Sequence, residues 1–266
     1  MHPFLFQSVY LAGQGKRADL PRSLFTIHLP FGAVKLAIIS DIHSNAEALR
    51  TALSIIDRRG VDAIYCLGDV VGYGADAEEC VELVRDRCAG VVMGNHDEAV
   101  ALARGVDYLP KDARVAAAHN RDRLSDDQLA YLATLPLKLE VDGCTFVHAT
   151  PHLPEQWQRI DTFLIAQAQF EHFTTDVCFI GHTHIPAVMA NRLGVLRVRP
   201  GYRFLINVGS VGQPRDNNPR LGFAFFDTET FEYELVRAPY DVERTCASIL
   251  RARLPKSLAR RLKVGR

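Results

Sequence analysis

From residue 34 onward, apolar positions follow two alternating rhythms. The short runs VKLAII (34–39), AIYCL (63–67) and GVVM (90–93) read as buried strands. Between them, stretches near Ala46 to Arg58 and Asp76 to Arg87 place apolar residues at helical spacing. Strand, helix, strand in this order predicts βαβ units on one sheet. Asp97 to Thr134 has a helical pattern, with Ser125 as an N-cap and Asp126 and Asp127 in the first turn, and is expected to form a helical insertion over the sheet edge. After Pro136, LKLEV, a turn at Asp142-Gly143 and CTFVHA predict a hairpin. A helix is expected near Asp161 to Phe173. Strands are expected at VCFIGH, AVMAN, VLRV, RFLINVG, GFAFFD and FEYELVR, so closely spaced that the second half of the sheet is predicted to be largely antiparallel. Residues 241–262 predict a basic amphipathic helical tail docked on the surface.

Residues 1–33 keep no period and contain Pro3, Pro21 and Pro30. They are expected to be a poorly ordered extension, either a real tail or the product of a start codon placed too far upstream. The predicted organisation is therefore an extension at 1–33, one domain at 34–240 and a docked helical tail at 241–266. The Gly-x-Gly-Lys at Gly13 to Lys16 lacks the spacing and the hydroxyl residue of a phosphate-binding loop and carries no argument.

Composition narrows the class. With 266 residues, 48% hydrophobic and 23% charged, the chain is globular and neither collagen-like, disordered nor coiled coil. Its 31 basic and 31 acidic residues cancel, so no global field marks nucleic acid as an obligate partner. Six cysteines without CxxC spacing predict reduced thiols and a cytoplasmic setting. No long apolar run is present, and the N-terminal stretch places its basic residues after the apolar ones, so neither export nor membrane insertion is expected.

The chemistry gathers just past strand ends. Asp41 and His43 follow the first strand, Asp69 the second, Asn95 and His96 the third, His148 ends CTFV, and His182 and His184 follow VCFIG. Open α/β sheets collect their sites at the carboxyl ends of strands, so these five segments are expected to converge. Singly, each has a plainer explanation: a surface loop for Asp-x-His, a turn for Gly68-Asp69, a helix cap for Asn95, a core histidine for His148. Together they offer seven donors, more than one catalytic zinc uses, and two metals sharing a carboxylate would fit. Imidazole, carboxylate and amide donors without thiolate suit manganese, iron, zinc or cobalt.

The ordered strings DxH, GD, GNHD, a lone His and GHTH resemble the calcineurin-like metallophosphoesterase superfamily over about residues 34–237. DIHSNAEAL, LGDVVGYG and NVGSVGQPRD are similar to a bacterial subgroup labelled diadenosine-tetraphosphatase-like or phosphodiesterase-like. The resemblance implies an α/β (α+β) fold in four layers, two mixed β-sheets packed as a sandwich and flanked by helices. It also implies one divalent metal at Asp41, His43, Asp69 and His184 and a second at Asp69, Asn95, His148 and His182. Manganese is the first expectation, with iron, zinc, cobalt or nickel as alternatives. A bridging hydroxide would attack the phosphorus of a small phosphoester, and His96 would protonate the leaving oxygen.

The sequence departs from the superfamily's GDxxDRG pattern. Gly72 stands where an aspartate would orient His96, and Tyr73 where an arginine would grip the phosphate. Protein phosphatase and dinucleoside tetraphosphatase activities are thereby less expected than diester hydrolysis. Arg215, assisted by Asn207 or nearby loop amides, is a candidate replacement clamp, against the alternative of a solvated arginine beside Asp216. Tyr73 is either a stacking surface for a leaving group or a packed residue, with packing the simpler reading; Trp157 either overhangs the site or anchors the core, with the core again simpler. Asp97 is a weak candidate to orient His96. Two other classes compete: a non-catalytic metal-binding scaffold, which would not need His96, and a nuclease, which would need a basic groove. The tail residues Arg251, Arg253, Lys256, Arg260, Arg261 and Lys263 could supply one.

Overall fold

The computed structural model describes residues 25–26 and 34–266. The expected extension otherwise lies outside the described residues. Among the described residues, eleven strands form two sheets rather than the single sheet predicted from the strand rhythm. The first has the order β11-β10-β2-β3-β4. Its strands β2 (Lys35–Ile39), β3 (Ala63–Cys66) and β4 (Gly90–Val91) run parallel, joined by α1 (Ala46–Arg59) and α2 (Ala77–Arg87). Strand β10 (Leu221–Asp227) runs antiparallel to β2, and β11 (Tyr233–Ala238) antiparallel to β10. The second sheet has the order β1-β5-β6-β7-β9-β8: β1 (Phe25–Thr26), β5 (Lys138–Val141), β6 (Cys144–Val147), β7 (Val177–Ile180), β8 (Ala187–Ala190) and β9 (Phe204–Asn207).

The continuous apolar character of β2 follows from its burial on both faces. Leu36 and Ile38 point inward with Tyr65, and against them the second sheet presents Phe146, Phe179, Phe204 and Ile206. The rings of Tyr65 and Phe146 stack across the sandwich at 4.4 Å. Ala37 and Ile39 point outward, onto Leu49, Ala52 and Ile56 of α1 and Val81 and Val84 of α2. The outer face of the second sheet, through Cys178, Ile180 and Leu205, is covered by α6 (Phe163–Ala168) and the 3-10 turn that follows it, which bring Ala166 and Phe170. Helix, sheet, sheet, helix are the four layers that the resemblance implied. Each large apolar side chain buried here contributes about 1.5–3 kcal/mol.

The second half of the chain is less antiparallel than its strand spacing suggested. Strands β6, β7 and β9 run parallel, because β8 follows β7 closely but pairs with β9 instead. VLRV (195–198) is not a strand. It belongs to a loop between β8 and β9 that turns at Gly194 with positive φ, and it leaves Leu193 and Leu196 exposed.

The helical middle consists of α3 (Asn95–Leu102), α4 (Lys111–Arg123) and α5 (Asp126–Thr134). Ser125 caps α5 as predicted: its hydroxyl accepts from the Gln128 N–H, and the Gln128 side chain accepts from the Ser125 N–H. The C-terminal stretch folds as two helices, α7 (Val242–Arg251) and α8 (Lys256–Leu262), separated before Pro255. Cys246, Ile249, Leu258 and Leu262 join the same apolar cluster as α1. All six cysteines are free thiols, and five are buried. Among the described residues no helix is long and apolar enough to cross a membrane.

Candidate metal centre

All the predicted donors emerge at carboxyl ends of parallel strands, from both sheets. β2 delivers Asp41 and His43, β3 delivers Asp69, and β4 leads through Gly94 into Asn95, the first residue of α3. Across the sandwich β6 delivers His148, and β7 delivers His182 and His184. Backbone hydrogen bonds zip neighbouring loops together. The N–H groups of Asp41 and His43 donate to the carbonyls of Gly68 and Asp69 at 3.0 and 2.9 Å, and that of Gly181 donates to the His148 carbonyl at 2.8 Å.

The donors form two groups with one common member. Asp41, His43, Asp69 and His184 bring ligand atoms within 4.8 Å of one another, as do Asp69, His148 and His182. Asp69 Oδ2 lies 3.6 Å from His43 Nε2 and 3.3 Å from His148 Nε2, facing both groups, while Oδ1 accepts from the backbone N–H of His96 at 2.8 Å. Asn95 adds an amide whose Oδ1 is buried without a partner.

The surroundings fix which atoms face inward. The Nδ1 atoms of His43, His148 and His184 lie against the carbonyls of Val71, Leu67 and Gln213 at 3.1, 2.7 and 2.5 Å. A carbonyl only accepts, so each Nδ1 carries the proton and each Nε2 turns its lone pair toward the centre. Asp41 Oδ2 accepts from the Ser40 hydroxyl and the His182 N–H, leaving the buried Oδ1 with no hydrogen bond and 3.2 Å from His184 Nε2.

These residues fit divalent cations. The Nε2 atoms of His43 and His184 face each other at 3.1 Å, and His148 Nε2 faces His182 Nδ1 at 3.2 Å. Two converging imidazole lone pairs repel unless a positive charge lies between them. The titration tendencies agree. Burial opposes ionisation of Asp41 and Asp69, yet the adjoining histidines hold both carboxyls well below the usual range. Burial lowers His184 to about 4 and His182 to about 3, leaving neutral donors, whereas Asp69 overcomes burial at His148 and lifts it to about 9, so that without a cation a proton on its Nε2 occupies the place of the positive charge. The centre attracts positive charge.

Backbone conformation is the feature that donor spacing did not reveal. Asp41, His43, Asp69, His182 and His184 all have φ between 50° and 63°. Each such left-handed residue costs about 1–2 kcal/mol relative to ordinary backbone. The loop hydrogen bonds hold these conformations in place. Gly94 is required for a separate reason: a Cβ there would collide with Asp69 Oδ1.

The chain is similar to known proteins over this whole region. The family model for the calcineurin-like phosphoesterase superfamily domain matches residues 34–231. This chain belongs to that superfamily. An uncharacterized protein of Methanocaldococcus jannaschii is 40% identical, across 87% of this chain and 98% of its own length. A metallophosphoesterase of Sphaerobacter thermophilus is 36% identical with a TM-score of 0.78, covering 88% of this chain and 100% of its own. A hypothetical protein of Pyrococcus horikoshii shares the fold at 21% identity and a TM-score of 0.75, covering 88% and 99%.

Within this superfamily fold, the departures at Gly72 and Tyr73 acquire a structural meaning. A Cβ on Gly72 would lie 2.5 Å from His96 Nδ1, and its φ of +99° is one that side chains avoid. The missing side chain therefore makes room for the imidazole. That ring packs edge-on to His43 and against Tyr73, and its buried Nδ1 has no hydrogen bond. Asp97 does not orient it: its carboxylate accepts the N–H groups of Val71 and Gly94 and ties those two loops together.

A cavity of about 460 Å³ opens onto the centre, lined in part by Asp69, Asn95, His96, His182, His184 and Arg215. Arg215 donates to the Tyr73 hydroxyl and the Gln213 side chain, both at 3.1 Å, and its Nε is buried without a partner. Asp216 does not neutralise it, because Asp216 pairs with Arg237 at 3.1 Å. Tyr73 is buried against His43, consistent with packing, while still lining the cavity. Asn207 does not reach the cavity as the clamp reading expected. Its amide donates to the Gly181 carbonyl and the Thr183 hydroxyl and accepts from the Gly209 N–H, so it is spent on holding loops. Trp157 does both: it packs against the apolar cluster around α1 and also lines the cavity, with its ring edge-on to His148 at 5.8 Å and its N–H donating to Glu98.

Proposed function

We propose that the protein is a metal-dependent hydrolase of small phosphoesters, with phosphodiesters favoured over phosphomonoesters. One observation carries the reading: Asp69 Oδ2 faces two buried donor groups at the floor of a cavity that also holds an arginine without a carboxylate partner. Asp41, His43, Asp69 and His184 would hold one cation, and Asp69, Asn95, His148 and His182 the other, with manganese the first choice. Two divalent cations, when bound, would polarise the phosphoryl oxygens and supply an activated water.

The protein's own residues do the rest. Arg215 directs a guanidinium at the phosphoryl group and holds it in the cavity. It is engaged by Tyr73 and Gln213, so it is less available to a terminal dianionic phosphate than an unencumbered arginine would be; this supports the diester preference. His96 faces the departing oxygen. Burial lowers its pKa to about 3, and no carboxylate stands behind Nδ1, so at neutral pH it donates an N–H hydrogen bond more than it delivers a proton. Substrates with weakly basic leaving groups should therefore react best. The free, mostly buried thiols support a reducing, cytoplasmic setting.

The test is hydrolysis of bis-p-nitrophenyl phosphate and p-nitrophenyl phosphate by metal-stripped protein titrated with manganese, with metal content counted by mass spectrometry. Turnover that rises with about two metals per chain, faster on the diester, is expected. Two bound metals with no turnover of either ester would reduce the protein to a metal-binding scaffold.

A further inference from the structure

The metal cavity has a neighbour that meets it at Tyr73. A groove of about 610 Å³, lined in part by Tyr73, Lys111, Asp112, Ser257, Arg260 and Arg261, shares that tyrosine with the catalytic cavity. We propose that this groove receives a second phosphate group of the substrate, so that the protein acts on phosphoesters carrying a further phosphate on one ester arm. The inference rests on the phosphoesterase reading and adds a substrate class to it.

The argument begins with charge balance. Basic and acidic residues are equal in number, and across the described surface many arginines have carboxylate partners: Arg59 with Glu234, Arg85 with Asp127, Arg123 with Glu78, Arg237 with Asp216 and Arg244 with Glu47. Others, such as Arg104, Arg114, Arg192 and Arg197, are unpaired singly, but around Tyr73 unpaired cations gather. Among the described residues, Lys111, Arg215, Arg260 and Arg261 form no ion pair. Asp112, the acid in the groove wall, bonds the Ser257 hydroxyl instead, and Arg266 at the rim spends its Nε on Asn217.

Two of these cations are held close together at a cost. The guanidinium carbons of Arg215 and Arg261 lie 5.6 and 5.5 Å from the same Tyr73 ring. Arg261 is half-buried; burial first and the nearby Arg215 charge second pull its pKa down, and the opposing influence of Tyr73 and Asp112 offsets this only in part. Neighbouring like charges in a partly desolvated wall are unfavourable without an anion between or beside them. Guanidinium forks match phosphate oxygens, which selects the anion. Arg215 lines the metal cavity and Arg261 the groove, and Tyr73 lines both, so a ligand that carries two phosphates on a sugar or short polyol would reach both arginines by passing this tyrosine. A small bisphosphate is favoured over a nucleic acid because the chain has no net positive charge to hold a long polyanion.

The experiment pairs ligands that differ by one phosphate. Calorimetry on the metal-free protein compares thymidine 3′,5′-bisphosphate with thymidine 5′-phosphate. Kinetics on the manganese-loaded protein compare thymidine 5′-(p-nitrophenyl phosphate) with and without a 3′-phosphate. The second phosphate should tighten binding about tenfold and lower KM by a similar factor. Arg260→Gln, a change at an exposed position, and Arg261→Gln should each erode that advantage. Arg251→Gln, elsewhere on the same tail, should retain it. No advantage for the bisphosphate, equal losses in Arg251→Gln, or tighter, steeply salt-dependent binding of a short oligothymidylate would each overturn the proposal. The two readings fail separately. Turnover of both esters without preference removes the groove assignment alone, whereas preferential bisphosphate binding without turnover removes the hydrolase alone.

Discussion

The two sheets make unequal contributions to the centre. The five-stranded sheet provides every oxygen donor, Asp41, Asp69 and Asn95, together with His43; the six-stranded sheet provides only imidazoles, His148, His182 and His184. Their supports differ too. The loops of the first sheet are stitched laterally by backbone hydrogen bonds, so their carboxylates are fixed by neighbours in the same layer. The donor loops of the second reach across the sandwich, the His148 imidazole to the Leu67 carbonyl and the His182 backbone N–H to Asp41 Oδ2. Either half alone is an incomplete ligand set, and the junction between the sheets makes the site.

The largest break in this comparison should come at its hinge. Asp69→Asn weakens the one oxygen that faces both groups; activity should fall at least about a thousandfold and metal content from about two to below one per chain, by mass spectrometry. Wild-type turnover would end the shared-carboxylate reading. A smaller effect is expected when only the imidazole side is touched. His182→Ala should retain one cation, keep its circular dichroism spectrum and lose about a hundredfold in activity. Loss of both cations there would mean that the two donor groups are not separable. Gly72→Ala leaves every donor in place but pushes on His96; about tenfold lower turnover with unchanged metal content is expected, and lost metal would show that the added methyl disturbs the donors as well. The mildest perturbation is chelation. Cations bind the folded junction and not the unfolded chain, so stripping them should lower Tm by several degrees, and manganese should restore it. An unchanged Tm would mean that no cation bridges the sheets.

Much of this was legible in the sequence, for physical reasons. Strand runs buried on both faces, Ser125 with Gln128, and donors placed just after strands are local signals, and the carboxylates and imidazoles among those donors lie close together in the fold. What local pattern could not carry was pairing between distant segments. The split into two sheets depends on Tyr65 meeting Phe146 and on β8 choosing β9 over β7, neither of which leaves a mark on hydrophobic periodicity. Single-residue roles went astray where polar side chains had several available partners. Asn207 looked like a ligand-binding amide because it follows a strand, yet the unsatisfied backbone of the Gly181 loop claims it. Asp97 beside His96 looked like its orienting carboxylate, but a helix turns neighbouring side chains apart, and two orphan N–H groups lay nearer. The Gly72 gap was visible in the sequence. That it accommodates His96 was not.

The cap of α1 sets the order in which the molecule can be finished. Asn45, directly after the first pair of donors, gives its amide N–H groups to Gly212 and the Tyr240 hydroxyl, and its oxygen accepts from the Thr245 hydroxyl. These three partners of an early residue are therefore synthesised late in the chain. A nascent chain that has already exposed Asp41 and His43 must wait for about two hundred further residues, some ten to forty seconds at ordinary elongation rates, before their loop is clamped. The loop that carries the first donors is thus secured only near the end of synthesis, and a chain cut short before α7 would emerge with Asp41 and His43 present and the Thr245 contact to Asn45 missing.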